Sequence, residues 1–177
     1  MPSEGFILNH YHEFKKLKLV YIGNKFDWRE NEIKEEKILT ARTSIGKFWF
    51  KQTGQLSRKK INAINPHVLH AHFGRGGALA LPLAQKFGLP LYVTYHGGDA
   101  TKYTHQKNRL IPSIYQRRLK NLQQYASGFL CVSNFIAQRL EAQGFPKNKL
   151  ITHYIGIDCK NIIKPIKKNG PMLFVGR

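Results

Sequence analysis

Acidic residues are scarce in this chain. Ten Asp and Glu stand against 29 Lys and Arg, a formal net charge of +19 over 177 residues. A surface so one-sided holds polyanions at low salt, whether nucleic acid, anionic lipid or a phosphorylated substrate, and charge alone does not choose among them. The shortage is local: residues 1–36 carry seven of the acids, and beyond them only Asp99, Glu141 and Asp158 are acidic. Cysteine is scarcer still. Cys131 and Cys159 are the only two, which excludes a disulfide framework and points to a reducing, cytoplasmic setting. Cys131, inside "GFLCVS", reads as a small buried residue. No apolar run approaches the roughly 18 residues that a membrane-spanning helix needs. The N-terminus has no basic start followed by an apolar stretch, so no secretory signal is expected. What remains, at 42% hydrophobic residues, suits one core of ordinary size.

What the chain does have is alternation. "HVLHAHF" reads as a strand, "GGALALPLAQKF" as a helix ended by Gly88, and "PLYVTYH" as a strand. "IPSIYQRRLKNLQQYA" follows as a helix with Pro112 in its first turn, then "GFLCV" as a strand. "SNFIAQRLEAQG" is a helix capped by Ser133, with Gly144 just past its end, and "KLITHYIG" is a further strand. This rhythm implies βαβ units and a parallel sheet with helices on its faces. Earlier, "SEGFILNHYHEFKKL" fits a helix capped by Ser3, with Phe6, Ile7, His10, Phe14 and Leu17 near one face. "KLVYIG" fits a strand ending at Gly23, and residues 24–40 receive no element. Residues 43–64 fit a helix interrupted at Gly54. "DCKNIIKPIKKNGP" reads as a polar linker, and "MLFVGR" as the start of a new strand.

Three features are candidates for chemistry. At the first, a strand, a glycine turn and a helix meet at Gly74, a place where α/β proteins hold anions on helix N–H groups. A dinucleotide fingerprint needs Gly-x-Gly-x-x-Gly there, but Leu79 stands at the third glycine. The second is a histidine set. His70 and His72 lie two apart and share a strand face, with His67 opposite; a zinc site would want a third ligand, for which His96 is placed. Histidines lining a polar crevice are the simpler reading, and no metal is assigned. The third is "YHGGDAT", where a strand ends at His96, two glycines turn the backbone, and Asp99 is an acid in a basic region. Ligands of open α/β sheets sit beyond the carboxyl ends of the strands, where all of these residues fall. Two further stretches, "GKFWFKQTGQLSRKK" and "KNRLIPSIYQRRLKNLQQY", mix aromatics with cations. They read either as amphipathic helices with solvated charges or as membrane-surface contacts, the second through Arg117 and Arg118.

Taken together, "PHVLHAHFG", "YVTYHGGDAT", "CVSNFIAQRLEAQGFPKNKL", "YIGID" and "LFVGR" resemble, in order and spacing, the family 4 retaining glycosyltransferases. "PSEGFI" is similar to the Pro-Ser-Glu-Thr-Phe-Ile segment of the exopolysaccharide, colanic-acid-type branch, with Gly5 in place of threonine. The resemblance implies half of a GT-B fold, two Rossmann-like domains facing across a cleft. On that reading residues 1–157 are the acceptor-side domain without its first strand, 158–170 a linker, and 171–177 the first strand of a donor-binding domain. It implies His96 near the reaction centre, and His72, Arg75, Gly76, Gly97, Gly98 and Asp99 on the acceptor side. Gly176 and Arg177 would meet the donor diphosphate, a task suited to the planar, permanently charged guanidinium. The donor would be a nucleotide-sugar, the acceptor a glycan or lipid-linked sugar, with no metal cofactor, at or near the inner face of the plasma membrane. Measured against the family pattern, the first strand, its glycine loop and the donor domain's paired glutamates are missing, so this length of chain alone is expected to be inactive. A basic domain that binds anionic lipid, glycan or nucleic acid without catalysis remains the alternative. No helix-turn-helix, zinc-finger or RNA-stacking motif favours a specific nucleic acid.

Overall fold

The computed structural model describes residues 7, 11, 16–23, 38–39, 43–53, 58–101 and 112–156. Ile7 and Tyr11 are helical, as the Ser3-capped helix requires; Lys16 and Leu17, expected at its end, form a turn instead, with Leu17 58% exposed, and the rest of that helix lies outside the described residues. So do Gly54, the linker at 158–170, the strand at 171–177, and with it Gly176 and Arg177.

Two short strands come first, β1 at Tyr21–Ile22 and β2 at Ile38–Leu39, paired in parallel with Tyr21 opposite Ile38. β2 falls within the segment to which the sequence assigns no element, because two apolar residues behind a charged run give no periodicity to read. Helices α1 (Ser44–Thr53) and α2 (Arg58–Ile64) replace the single interrupted helix expected over 43–64. The main unit then runs β3 (Leu69–His72), α3 (Phe73–Phe87), β4 (Leu91–Tyr95), α4 (Gly98–Thr101), α5 (Ile114–Tyr125), β5 (Gly128–Cys131), α6 (Asn134–Glu141) and β6 (Leu150–Thr152). Its four strands pair in parallel in the order β3-β4-β5-β6. The expected α/β architecture, a parallel sheet of Rossmann type, is therefore present.

β4, in the middle of the sheet, is buried on both faces. Leu91, Val93, Thr94 and Tyr95 are all buried, a nearly continuous run of the kind that parallel strands covered by helices require. α3 serves two cores at once. Its Ala78, Leu81 and Ala84 join the main cluster with Val93 and Leu122, whereas Leu83 packs with Leu39 and Ile61 in a second one.

α3 also contains Pro82, which has no N–H to give the carbonyl four residues earlier. That carbonyl belongs to Ala78, and Arg118 supplies the missing donor: its Nη1 lies 2.8 Å from the Ala78 oxygen. The same guanidinium donates through Nη2 to the carbonyl of Gln52 in the last turn of α1. One side chain thus satisfies two carbonyls that their own helices leave without an i+4 donor. α5 begins at Ile114, not before Pro112, because Ser113 and Gln116 form a reciprocal capping box. Ser133 caps α6 as expected, accepting from the Ile136 N–H at 3.3 Å.

Candidate functional site

Parallel pairing places the carboxyl ends of β3 and β4 side by side, with His72 in register with Thr94 and His96 just beyond the end of β4. Their side chains form a row. His70 Nε2 meets Thr94 Oγ1 at 2.7 Å, and His70 Nδ1 bonds the Tyr11 hydroxyl. The same hydroxyl meets His72 Nε2 at 3.0 Å, and His72 Nδ1 meets His96 Nε2 at 3.0 Å. The His72 and His96 rings stack with centroids 5.2 Å apart, and His70 lies 4.7 Å from His72.

A neutral imidazole has one N–H donor and one acceptor nitrogen, and a phenol has a single proton to donate. Where the Tyr11 hydroxyl both donates and accepts, the links share one polarity. If His72 donates from Nδ1 to His96, its Nε2 accepts from Tyr11, Tyr11 accepts from His70, and His70 accepts from Thr94. Rings set in a row, with His70 and His72 spending their nitrogens on Thr94, Tyr11 and His96, are not a set of ligands converging on one point. Among the described residues no group of His, Cys, Asp or Glu is placed to hold a metal ion. Burial pulls the pKa of His96 below its usual 6.5, outweighing the opposing effect of Asp99, so the neutral imidazole is the favoured form at neutral pH. Tyr11 is pushed upward by burial and stays a phenol.

Asp99 fixes this arrangement. It is only 7% exposed, and both its oxygens are used. Oδ1 accepts from the backbone N–H of His96 at 3.1 Å and of Gly97 at 2.9 Å. Oδ2 accepts from the N–H of Gly74 at 3.1 Å. The carboxylate therefore ties the turn after β3 to the turn after β4. It also occupies the positive end of α3, where a ligand anion would otherwise be attracted.

Two of the glycines of that turn, Gly74 and Gly77, serve packing. A Cβ on Gly74 would lie 2.7 Å from Tyr115 Cε2 and 2.8 Å from Tyr95 Cε1. One on Gly77 would lie 2.8 and 2.9 Å from the two methyls of Val93. These residues are the first turn of α3, not a loop, and the reversal is made by Phe73 instead. Phe73 holds φ at +64°, a conformation that costs a non-glycine residue about 1–3 kcal/mol and is commonest near functional sites. Its ring lies 4.7 Å from that of His96.

The residues singled out in the sequence therefore separate. His72 and His96 come into direct contact, while Asp99 is withdrawn behind them as a positioning group. Arg75 and Gly98 are exposed, Gly76 and Gly97 half-buried, and His67 is exposed, apart from the row's links given above. Arg117 is exposed, whereas Arg118 faces inward to Ala78 and Gln52, so only Arg117 presents its charge fully to solvent. Tyr11, Thr94 and Phe73 were not legible as site residues. Tyr11 reaches its partners across a sequence separation of about sixty residues, and no local pattern encodes that.

No helix among the described residues is long and apolar enough to cross a membrane. No curated protein matches the chain. Among solved structures it is similar in fold to the UDP-N-acetylglucosamine 2-epimerase from Rickettsia bellii, with a TM-score of 0.55 and 11% identity. The alignment covers 85% of this chain and 41% of the epimerase chain, so this chain spans less than half the length of that protein. The sequence model of Glycosyltransferase Family 4 matches residues 31–161. That span is most of the chain and contains every member of the site except Tyr11, and the chain belongs to this family.

Proposed function

We propose that this chain is the acceptor-side domain of a retaining glycosyltransferase, which moves a sugar from a nucleotide-sugar to a glycan or lipid-linked acceptor in bacterial surface-polysaccharide synthesis. One observation carries the reading within the family: the His72–His96 pair at the carboxyl edge of adjacent parallel strands, where open α/β sheets bind ligands. A sugar hydroxyl can replace one of the row's own links, such as that of Tyr11 to His72, as an imidazole partner, and His96, held toward its neutral form, has little attraction for phosphate. The positive helix end that could have held a phosphate is taken by Asp99. Nucleotide-sugar recognition then belongs to a donor domain, with Gly176 and Arg177 at its opening strand, and no metal is called for. On this reading the described chain binds acceptor but does not turn over.

Imidazole NMR during titration with acceptor-type glycans and with nucleotide-sugars tests the assignment. Shifts of the His72 and His96 resonances on adding glycan, absent in His96→Gln, support it. Shifts on adding nucleotide-sugar alone, with glycans inert, reverse the two roles and overturn it. Product anomeric configuration from the parent protein tests retention separately.

A further inference from the structure

Phe73 adopts a backbone conformation that does not suit its residue type. The other described residues with positive φ are Gly88 at 63°, Gly97 at 139°, Gly144 at 83° and Asn65 at 47°. Glycine has no Cβ to strain there, and asparagine is among the side chains that tolerate the left-handed region best. A bulky phenylalanine at φ 64° is not, so glycine would serve the backbone better at position 73. Core packing does not account for the ring either. Phe73 is half-buried and joins neither of the two hydrophobic clusters. The ring it meets is that of His96, with centroids 4.7 Å apart and planes at 46°.

His96 is where such a contact matters. It lies just beyond the end of β4 and before Gly97, where the backbone turns. Its backbone N–H is held by Asp99 Oδ1, and its Nε2 meets His72 Nδ1 at 3.0 Å. A hydrogen bond at one ring nitrogen leaves an imidazole able to tilt about that contact, and a second ring against it removes the tilt. His72 and Phe73 are successive residues at the turn after β3, so one short stretch of chain grips the imidazole twice, by a hydrogen bond and by ring contact. A phenyl ring there also displaces water from the imidazole, in the same sense as the burial that lowers the pKa of His96.

We propose that Phe73 is a positioning residue of the crevice, retained in a strained backbone because its ring braces the His96 imidazole against His72. What the brace serves, an imidazole set to meet a sugar hydroxyl, rests on the acceptor reading above, while the brace itself is tested without a ligand. The experiment follows the His96 ring protons by NMR against pH in the unaltered chain and in Phe73→Gly, Phe73→Ala and Phe73→Tyr, with His96→Gln identifying the signal. The titratable and charged groups around His96 stay the same in the three Phe73 variants: His72, with His70 and Tyr11 beyond it, Asp99, and the exposed Arg75 in the first turn of α3. Phe73→Gly removes the ring and relieves the backbone, so it should unfold at about 0.5 M higher urea than Phe73→Ala, which removes the ring alone. In both, the His96 titration midpoint should rise toward 6.5 and its ring signals should move. Phe73→Tyr keeps the ring and should restore the values of the unaltered chain. Unchanged His96 signals and midpoint in a folded Phe73→Gly would overturn the proposal, and so would the same displacement in Phe73→Tyr. Titration with methyl glycosides separates the two readings. His96 of the unaltered chain should respond, and Phe73→Gly should bind about three- to tenfold more weakly, the cost of ordering one side chain. Glycosides that leave His96 unmoved, with the Phe73→Gly displacement intact, would remove the acceptor reading and leave the brace standing.

Discussion

Replacing Asp99 with asparagine keeps the size of the side chain and removes one acceptor oxygen, which isolates what the carboxylate does. In its best orientation the amide oxygen still accepts from the His96 and Gly97 N–H groups, the pair now served by Oδ1. Its NH2 must then face the Gly74 N–H, which now bonds Oδ2 at 3.1 Å, so two donors confront each other. Hydrogen bonds to a charged group contribute about 1.5–3 kcal/mol, and a buried N–H left without an acceptor costs about 1–3 kcal/mol. These overlap, and the expected loss is about 2–4 kcal/mol out of a total stability of about 5–15 kcal/mol. Urea unfolding measures it directly: the midpoint should fall by about 1 M for a slope near 2–3 kcal/mol/M. Asp99→Ala, which strands all three donors, should lose more. Glu141→Gln, at an exposed carboxylate 3.4 Å from Lys147, should change stability by less than about 0.5 kcal/mol. An Asp99→Asn protein that unfolds within about 0.5 kcal/mol of the parent would refute the idea that this carboxylate ties the two turns together.

Three further outcomes follow from the same packing. Gly77→Ala should destabilise by about 1–3 kcal/mol, because its Cβ would lie 2.8 Å from Val93, whereas Gly76→Ala, with only Ala71 at 4.0 Å, should gain up to about 1 kcal/mol of helix propensity; thermal unfolding separates them. Arg118→Met should cost about 1–3 kcal/mol while Arg117→Met costs almost nothing, and Pro82→Ala should relieve part of the Arg118→Met loss by restoring a helical donor to Ala78; a double-mutant cycle showing no coupling would refute that link. His96 has its folded pKa lowered, so its contribution is fully present above the unfolded value of about 6.5 and is lost as pH falls through the folded pKa. His96→Gln should therefore flatten the stability profile below about pH 6.5 and leave it unchanged above.

The sheet was legible because its signals are local. Strand and helix periods, the caps at Ser133 and Gly88, and the apolar run of β4 each lie within a few residues of what they specify. The site was legible as a neighbourhood, since parallel strands bring their carboxyl ends to one edge whatever the side chains are. Roles within it were not. "HFGRGG" looks like a glycine loop open to a ligand, yet the reason for glycine at positions 74 and 77 lies in Tyr95, Tyr115 and Val93, which only tertiary packing brings near. Arg118 looks like its exposed neighbour Arg117, and its inward turn answers a carbonyl, that of Ala78, which Pro82 leaves without its helical donor. Tyr11 links to the histidines across most of the domain's first half. Long-range pairing decides each of these, and a pattern read along the chain does not contain it.

Charge and chemistry are separated in this domain, and that separation bears on what it recognises. The net charge of +19 would suggest a phosphate site, and the helix end after β3 is the natural place for one. Instead that end is neutralised by Asp99, one of the only two acids in the described part of the chain beyond residue 39. The His96 imidazole beside it is held toward its neutral form by burial. The row is therefore built from hydrogen-bonding groups that suit hydroxyls, and apart from Arg75, exposed in the first turn of α3, most cations of the described residues stand away from it, on α1, α2 and α5. A surface charge so placed acts over a Debye length of about 8–10 Å on an extended anionic partner and adds little to selection between ligands in the crevice.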